Sequence, residues 1–155
     1  MKRFILTSIL LCSGLASYSQ VYTHARPHDV VKTVPAASAP AARNVVLMIG
    51  DGMGSEHVWA AWLCNRGQLN ITGLPVTGVS VTTSASDTIT DSAAGGTAIA
   101  CGIKTKNGQL GIDAGGARVE SLAEQMRRAG KSTGIVVTKT VTDATPAAFY
   151  AHVKS

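Results

Sequence analysis

Residues 44–54 have the sequence NVVLMIGDGMG, a continuous apolar run that ends in a glycine-rich turn. Such a run is typical of a strand buried on both faces, as in a parallel sheet. The turn carries Asp51, and its spacing fits neither the dinucleotide fingerprint nor the P-loop. A carboxylate repels phosphate unless a cation lies between them. The turn therefore predicts a metal ligand, with an ordinary turn or cap residue as the alternative.

Strand and helix patterns alternate beyond this turn. Residues 76–83 are β-branched and alternating, and residues 134–137 form a second buried apolar run, so both predict strands. Helical patterns extend from the turn to about residue 65, over 92–101 and over 118–129. This alternation predicts an α/β protein with a parallel-sheet α/β/α sandwich, whose sites lie at the carboxyl ends of the strands.

Length and charge limit the possible functions. A sheet of this kind needs more strands than the 155 residues supply, so we expect residues 44–155 to be a truncated domain. The formal net charge of +5 is spread thinly along the chain. Without a basic cluster or interleaved aromatic residues, the composition does not indicate a nucleic-acid partner.

The first residues indicate export. Residues 1–19 have the basic start, apolar run and small residues of a secretory signal peptide. The apolar run is shorter than the roughly 20 residues of a membrane span, so we expect no stable membrane anchor. Residues 20–43, with scattered prolines and an Ala/Pro/Ser tract, predict an exposed linker. The protein is expected in the periplasm or outside the cell, where Cys64 and Cys101 could pair or remain separate thiols.

Residues 90–98, TDSAAGGTA, place a serine beside a carboxylate at the start of a predicted helix. Serine is a poor nucleophile at neutral pH unless a neighbouring group activates it. At a helix start, free amides and the helix dipole would favour an anion on Ser92. The small residues that follow would let other backbone approach closely. The alternative is a helix cap, which would explain either Asp91 or Ser92 but not both.

A third segment, TDATP at residues 142–146, also follows a predicted buried strand. Pro146 can open a helix at its first position, which would leave Asp143 and Thr145 at the strand-end rim. Their oxygens suit Mg²⁺, directly or through water, and a capped helix start is the alternative. His57 and His152 lie on predicted helices and receive no functional role.

Together, these segments resemble the alkaline phosphatase family in its bacterial type, from about residue 44 to the end. Residues 44–54 are similar to its opening strand and metal turn, residues 90–98 to its nucleophile segment, and residues 143–148 to its magnesium-side motif. The resemblance implies hydrolysis of small-molecule phosphate monoesters through a phosphoserine intermediate. It also implies two Zn²⁺ ions and one Mg²⁺ ion, and allows a homodimer of the full-length form.

The resemblance also implies a role for each candidate residue. Ser92 would be the catalytic nucleophile, and Asp91 would position the substrate by helping to hold a phosphate-binding arginine. The implied metal residues are Asp51, which bridges magnesium and one zinc, Thr145, a magnesium ligand, and Asp143 in the outer shell.

Several parts of the family's site are expected beyond this sequence. The resemblance places the remaining metal ligands later in the chain and the arginine just beyond Thr145, yet no arginine follows Arg128. Lys154 is a poor substitute for a bidentate clamp. We therefore expect the 155-residue product to be inactive alone and its full-length parent to be a phosphomonoesterase. The alternatives are a non-catalytic secreted remnant that binds metal or phosphate, or another superfamily member such as a phosphate mutase.

Overall fold

The computed structural model describes residues 43–154, which divide into two units. The described part of the first unit is residues 55–75, and that of the second is residues 43–54 with 76–154. The expected signal peptide and all but the last residue of the expected linker lie outside the described residues. Within residues 43–154, no helix combines the length and apolarity needed to cross a bilayer.

The first unit contains helix α1 (Ser55–Cys64) and a short 3-10 helix (Ile71–Gly73). The rings of Trp59 and Trp62 stack, with centroids 4.9 Å apart and planes 15° from parallel. Helix α1 confirms the prediction of a helix ending near residue 65.

The second unit contains helices α2 (Ser92–Cys101) and α3 (Leu122–Arg128). Helix α2 has the predicted bounds, whereas α3 begins at Leu122 rather than Arg118. The reason is a capping box: the Ser121 hydroxyl accepts from the Glu124 amide, and the Glu124 carboxylate accepts from the Ser121 amide. These reciprocal bonds satisfy two first-turn donors and set the start of the helix.

Helix α4 (Ala144–Ala147) is a single turn whose cap is Asp143. The prediction that Pro146 opens this helix at its first position is wrong, because Pro146 is the third helical residue. The Asp143 carboxylate accepts from the Ala144 amide, so the helix starts there. Proline is compatible with the first turn, where amides have no partner within the helix.

The predicted strands form no ladder within residues 43–154. The bridges in that range are two isolated antiparallel ones, Leu110↔Val153 and Ile112↔Arg118. Apolar side chains of the predicted strands are exposed, by 85% at Val46 and 98% at Val136. An apolar run becomes a buried strand only when neighbouring strands take its backbone hydrogen bonds and other elements cover its faces. The described residues do not supply that pairing, so the parallel sheet is not observed among them.

Helix α2 lies at the centre of the buried part of the second unit. Ala93, Ala94 and Ala100 of α2 are buried, together with Ala147 and Ala148. A Cβ added to Gly96 would lie 3.1 Å from the Ala148 Cβ and 3.3 Å from the Thr145 Cα. This contact confirms the expectation that small residues of α2 admit other backbone, and it positions α4 beside Ser92.

Candidate active site

The carboxylate of Asp51 joins the three predicted segments. The Ser92 hydroxyl donates to Asp51 Oδ1 at 2.9 Å, and the Thr145 hydroxyl donates to Asp51 Oδ2 at 2.7 Å. Thr145 lies 94 positions from Asp51 along the chain, so the fold rather than local sequence makes this contact. Three of the five predicted site residues therefore meet at one carboxylate.

A tight glycine turn presents the exposed Asp51. The Met53 amide donates to the Gly50 carbonyl at 3.2 Å, which closes the turn around Asp51. Gly52 has φ of 67°, a left-handed conformation that glycine adopts without the Cβ penalty of other residues. The glycine at position 52 is therefore explained by backbone geometry.

Asp91 fixes the backbone from which Ser92 projects. Its Oδ1 accepts from the Ala94 amide at 2.8 Å, and its Oδ2 accepts from the Gly108 amide at 2.6 Å. The first bond caps α2, which confirms the capping interpretation for Asp91. The second bond connects the helix start to the loop near Gly108. Since Asp91 is the cap, the Ser92 hydroxyl is available to donate to Asp51.

Ser92 is the first residue of α2 and is half-buried. The first amides of a helix lack intrahelical acceptors, and the positive end of the helix dipole lies there. An anionic group on Ser92 would therefore lie in a favourable electrostatic position.

Asp143 divides its two oxygens between the backbone and a lysine. Oδ1 accepts from the Ala144 amide at 2.9 Å, and Oδ2 lies 2.8 Å from Lys139 Nζ. The hydrogen bond from Lys139, followed by that from Ala144, holds the pKa of Asp143 below its ordinary value. Sequence reasoning missed Lys139, because residues 139–143 are not helical and no local pattern predicts this contact.

The sequence gave His152 no functional role and left the pairing of Cys64 and Cys101 open. His152 is packed between the Gly111 carbonyl, 2.6 Å from Nδ1, and Glu124 Oε1, 3.0 Å from Nε2. This agrees with a structural histidine. Cys64 is an exposed thiol and Cys101 a half-buried one, and both are free rather than paired in a disulfide.

Known proteins match most of the chain. A family profile described as alkaline phosphatase matches residues 42–155. The chain belongs to the alkaline phosphatase family. It is 42% identical over 125 residues to alkaline phosphatase 4 of Bacillus subtilis and 41% identical over 124 residues to alkaline phosphatase of Escherichia coli. The aligned regions cover 73% and 74% of the chain and 26% of each relative, so the chain spans about a quarter of their length.

Solved alkaline phosphatases share the fold of the aligned part. A variant of the TAB5 enzyme with magnesium bound in its M3 site superimposes with a TM-score of 0.64 at 39% identity, covering 66% of this chain and 30% of that one. The cold-active enzyme of a Shewanella species gives a TM-score of 0.64 at 33% identity, covering 69% and 29%. The chain therefore has the alkaline phosphatase fold over the part that aligns.

The oxygen cluster fits magnesium, one of the metals that the alkaline phosphatase family implies. Asp51 contributes two carboxylate oxygens, and the hydroxyls of Ser92 and Thr145 are hydrogen-bonded to them. Magnesium prefers such hard oxygen donors. Zinc prefers nitrogen and sulfur donors with carboxylates, and residues 43–154 gather no three His, Cys, Asp or Glu side chains that could hold a metal ion. The described oxygens are of the kind that magnesium prefers, and within residues 43–154 they complete neither a magnesium nor a zinc site.

Proposed function

We propose that this chain carries the nucleophile and the magnesium-side residues of a phosphomonoesterase that acts on small-molecule phosphate monoesters. The observation that most directly supports this proposal is that one carboxylate, Asp51, accepts hydrogen bonds from both Ser92 and Thr145. That arrangement links a serine at a helix start to an oxygen cluster of the kind magnesium binds. Membership of the alkaline phosphatase family supports assigning phosphoryl chemistry to it.

Ser92 is proposed to accept the phosphoryl group in the first of two steps. Its hydroxyl, oriented by the hydrogen bond to Asp51, loses its proton to solvent as Oγ forms a bond to phosphorus and the ester P–O bond breaks. The leaving alkoxide takes a proton from solvent. In the second step water attacks phosphorus and the bond from phosphorus to Ser92 Oγ breaks. One proton of that water passes through solvent to Ser92 Oγ, and inorganic phosphate departs. Each step transfers one phosphoryl group and needs no redox partner.

Asp51 and Thr145 are proposed to hold Mg²⁺, with Asp143 acting from its outer shell. When bound, the cation would neutralise negative charge that otherwise repels a phosphate dianion from Asp51. The family also implies two zinc ions, whose ligands are expected beyond the described donors. Asp91 is proposed to orient the substrate indirectly, through the arginine that the resemblance places after Thr145.

The sheet, the export and the oligomeric state of the full-length protein are also proposed from the family resemblance. The exposed apolar segments 45–49, 76–83 and 134–137 would be strands of a parallel-sheet α/β/α sandwich in the full-length protein. That protein would be exported to the periplasm or beyond the cell, and the family resemblance allows a homodimer.

A chimera tests the role of Ser92. Residues 42–155 would replace the matching segment of the E. coli alkaline phosphatase, to which the chain is 41% identical. We expect the chimera to hydrolyse p-nitrophenyl phosphate and Ser92→Ala to lower kcat roughly a thousandfold or more, as loss of a nucleophile does elsewhere. Thr72→Ala, which removes an exposed hydroxyl in the first unit, is the matched control. A folded Ser92→Ala chimera with an undiminished rate would exclude Ser92 as the phosphoryl acceptor.

Experiments on the purified chain alone test catalysis and ligand binding separately. We expect no zinc-dependent hydrolysis of p-nitrophenyl phosphate by the purified 155-residue product, and measurable hydrolysis would contradict that expectation. Calorimetric titration with Zn²⁺, Mg²⁺ and phosphate tests the alternative of a binding remnant. Such a remnant would bind at least one of them tightly while its chimera stayed inactive.

A further inference from the structure

His152 joins a loop and a helix to the segment that leaves α4. Its Nδ1 lies 2.6 Å from the Gly111 carbonyl oxygen, and its Nε2 lies 3.0 Å from Glu124 Oε1. A carbonyl oxygen and a carboxylate can only accept, so the ring makes each contact as a donor. The side chain is 14% exposed, and solvent therefore has little access to replace either partner.

The Gly111 contact belongs to a loop, residues 108–111, that is attached to the helix carrying the proposed nucleophile. The Gly108 amide donates to Oδ2 of Asp91, the cap of α2, at 2.6 Å. The Gly111 amide donates to the hydroxyl of Thr97, a fully buried residue of α2, at 3.0 Å. The loop is therefore fixed to α2 at two points.

The same loop pairs with the segment that leaves α4. Leu110 and Val153 form an antiparallel bridge with both backbone hydrogen bonds, at 3.0 and 2.9 Å. His152 comes directly before this bridge and holds the next carbonyl along the loop. A Cβ added to Gly111 would collide with the Ala151 carbonyl oxygen, so the loop and the segment are in close backbone contact.

We propose that His152 is a positioning residue that holds the 108–111 loop against the segment leaving α4, and so sets how the residues after Val153 approach Ser92. This inference rests on the proposed function, in which an arginine beyond Thr145 binds the substrate phosphate. No arginine lies between Thr145 and the last residue of the sequence, so that arginine would follow Val153. His152 acts through the backbone of this segment and does not touch the reacting atoms.

Three variants of the E. coli chimera separate the two ring contacts. Glutamine places an amide donor near the position of Nε2, and asparagine places one near that of Nδ1. His152→Gln should lose the Gly111 contact, and His152→Ala should lose both. Each should raise KM for p-nitrophenyl phosphate and the inhibition constant of inorganic phosphate about three- to tenfold, the effect of one hydrogen bond.

His152→Asn is the conservative variant, because it can still donate to Gly111. It should leave both constants close to those of the unmodified chimera. In none of the three variants should kcat fall, since Ser92 keeps its bond to Asp51.

Tyr150→Phe is the matched control. It removes a hydrogen bond of the same segment, from the Tyr150 hydroxyl to the Val141 carbonyl at 2.6 Å, and Val141 lies outside the 108–111 loop. We expect it to lower the free energy of unfolding about as much as His152→Gln does, with KM and phosphate inhibition unchanged.

Hydrogen exchange in the 155-residue chain gives a readout that needs no activity. The Leu110 and Val153 amides should exchange about three- to tenfold faster in His152→Gln, because the bridge that they form opens more often. His152→Asn and Tyr150→Phe should keep the original rates. Unchanged exchange in His152→Gln would show that the ring does not hold the loop.

The outcomes distinguish this inference from the proposed function. A fall in kcat with KM unchanged, or equal increases of KM in His152→Gln and His152→Asn, would overturn the role of His152 while the chimera remained a phosphatase. An equal increase of KM in Tyr150→Phe would also overturn it, because the effect would then be a general loss of stability. A folded but inactive unmodified chimera would overturn the proposed function and the role of His152 together.

Discussion

Gly96 of α2 lies against Thr145 of α4 so closely that an added Cβ would be 3.3 Å from the Thr145 Cα. Thr145 is also the residue whose hydroxyl donates to Asp51. The missing side chain at position 96 therefore sets the distance between the helix that carries Ser92 and the helix turn that carries Thr145. In this protein, a packing contact between two short helices determines the geometry of the candidate site.

Gly96→Ala should destabilise the chain relative to Gly95→Ala. Both changes raise helix propensity by up to about 1 kcal/mol, but only the first overpacks a helix contact, at a typical cost of about 1–3 kcal/mol. At Gly95 the nearest atom to an added Cβ is the Thr90 Cγ2 at 3.7 Å, an ordinary contact. Urea unfolding of both variants measures the difference. A Gly96→Ala chain as stable as Gly95→Ala would show that α4 moves freely away from α2.

Asp91→Ala should cost about 1–2 kcal/mol of unfolding free energy, because it removes a helix cap and the acceptor for the Gly108 amide. Asp91→Asn should cost less, since its carbonyl oxygen can still cap α2 while its amide group cannot accept from Gly108. Thermal and urea unfolding report the two values. Equal losses in both variants would assign the stabilisation to the charge of Asp91 rather than to its two separate bonds.

The stability of the chain should fall in acid because of Glu124. The hydrogen bond from the Ser121 amide, aided by His152 and Arg118, lowers the pKa of Glu124 from 4.5 to about 2. A carboxyl with a depressed folded-state pKa stabilises the fold above its unfolded-state pKa, and this contribution is lost as pH falls from 4.5 to about 2.

Glu124→Gln should therefore lower the free energy of unfolding at pH 7 and flatten its decline across that acid window. Denaturant unfolding at several pH values measures the slope. Glu120→Gln is the control, because Glu120 pairs with Arg128 on the surface and is outside the α3 capping box. An unchanged acid slope in Glu124→Gln would refute this assignment.

Cys101 should react with iodoacetamide more slowly than Cys64. Burial, followed by the nearby charge of Glu124, raises the pKa of the Cys101 thiol, and a thiol reacts through its thiolate. Cys64 is exposed. Mass spectrometry of the partly alkylated chain gives the two rates, and faster labelling of Cys101 would contradict the burial seen here.

The sequence by itself predicted α2 and selected the candidate site residues. Ser92 and the small residues after it predicted α2 with its observed bounds, because capping and helix propensity act within a few residues. Asp51 was selected because it lies inside a glycine-rich turn after a predicted strand. Ser92 and Thr145 were selected because they lie at predicted helix starts. Local chemistry alone indicated a metal or phosphate site there.

Only the tertiary structure decided how these residues meet. The Asp51 carboxylate accepts hydrogen bonds from both Ser92 and Thr145. Lys139 forms an ion pair with Asp143. The spacing of these residues along the chain does not predict either contact. The predicted strands are not paired with one another within residues 43–154, because an apolar pattern specifies a side chain's preference for burial but not the partner that buries it. Helices carry their hydrogen bonds within themselves, whereas strands and active sites depend on residues far away in sequence.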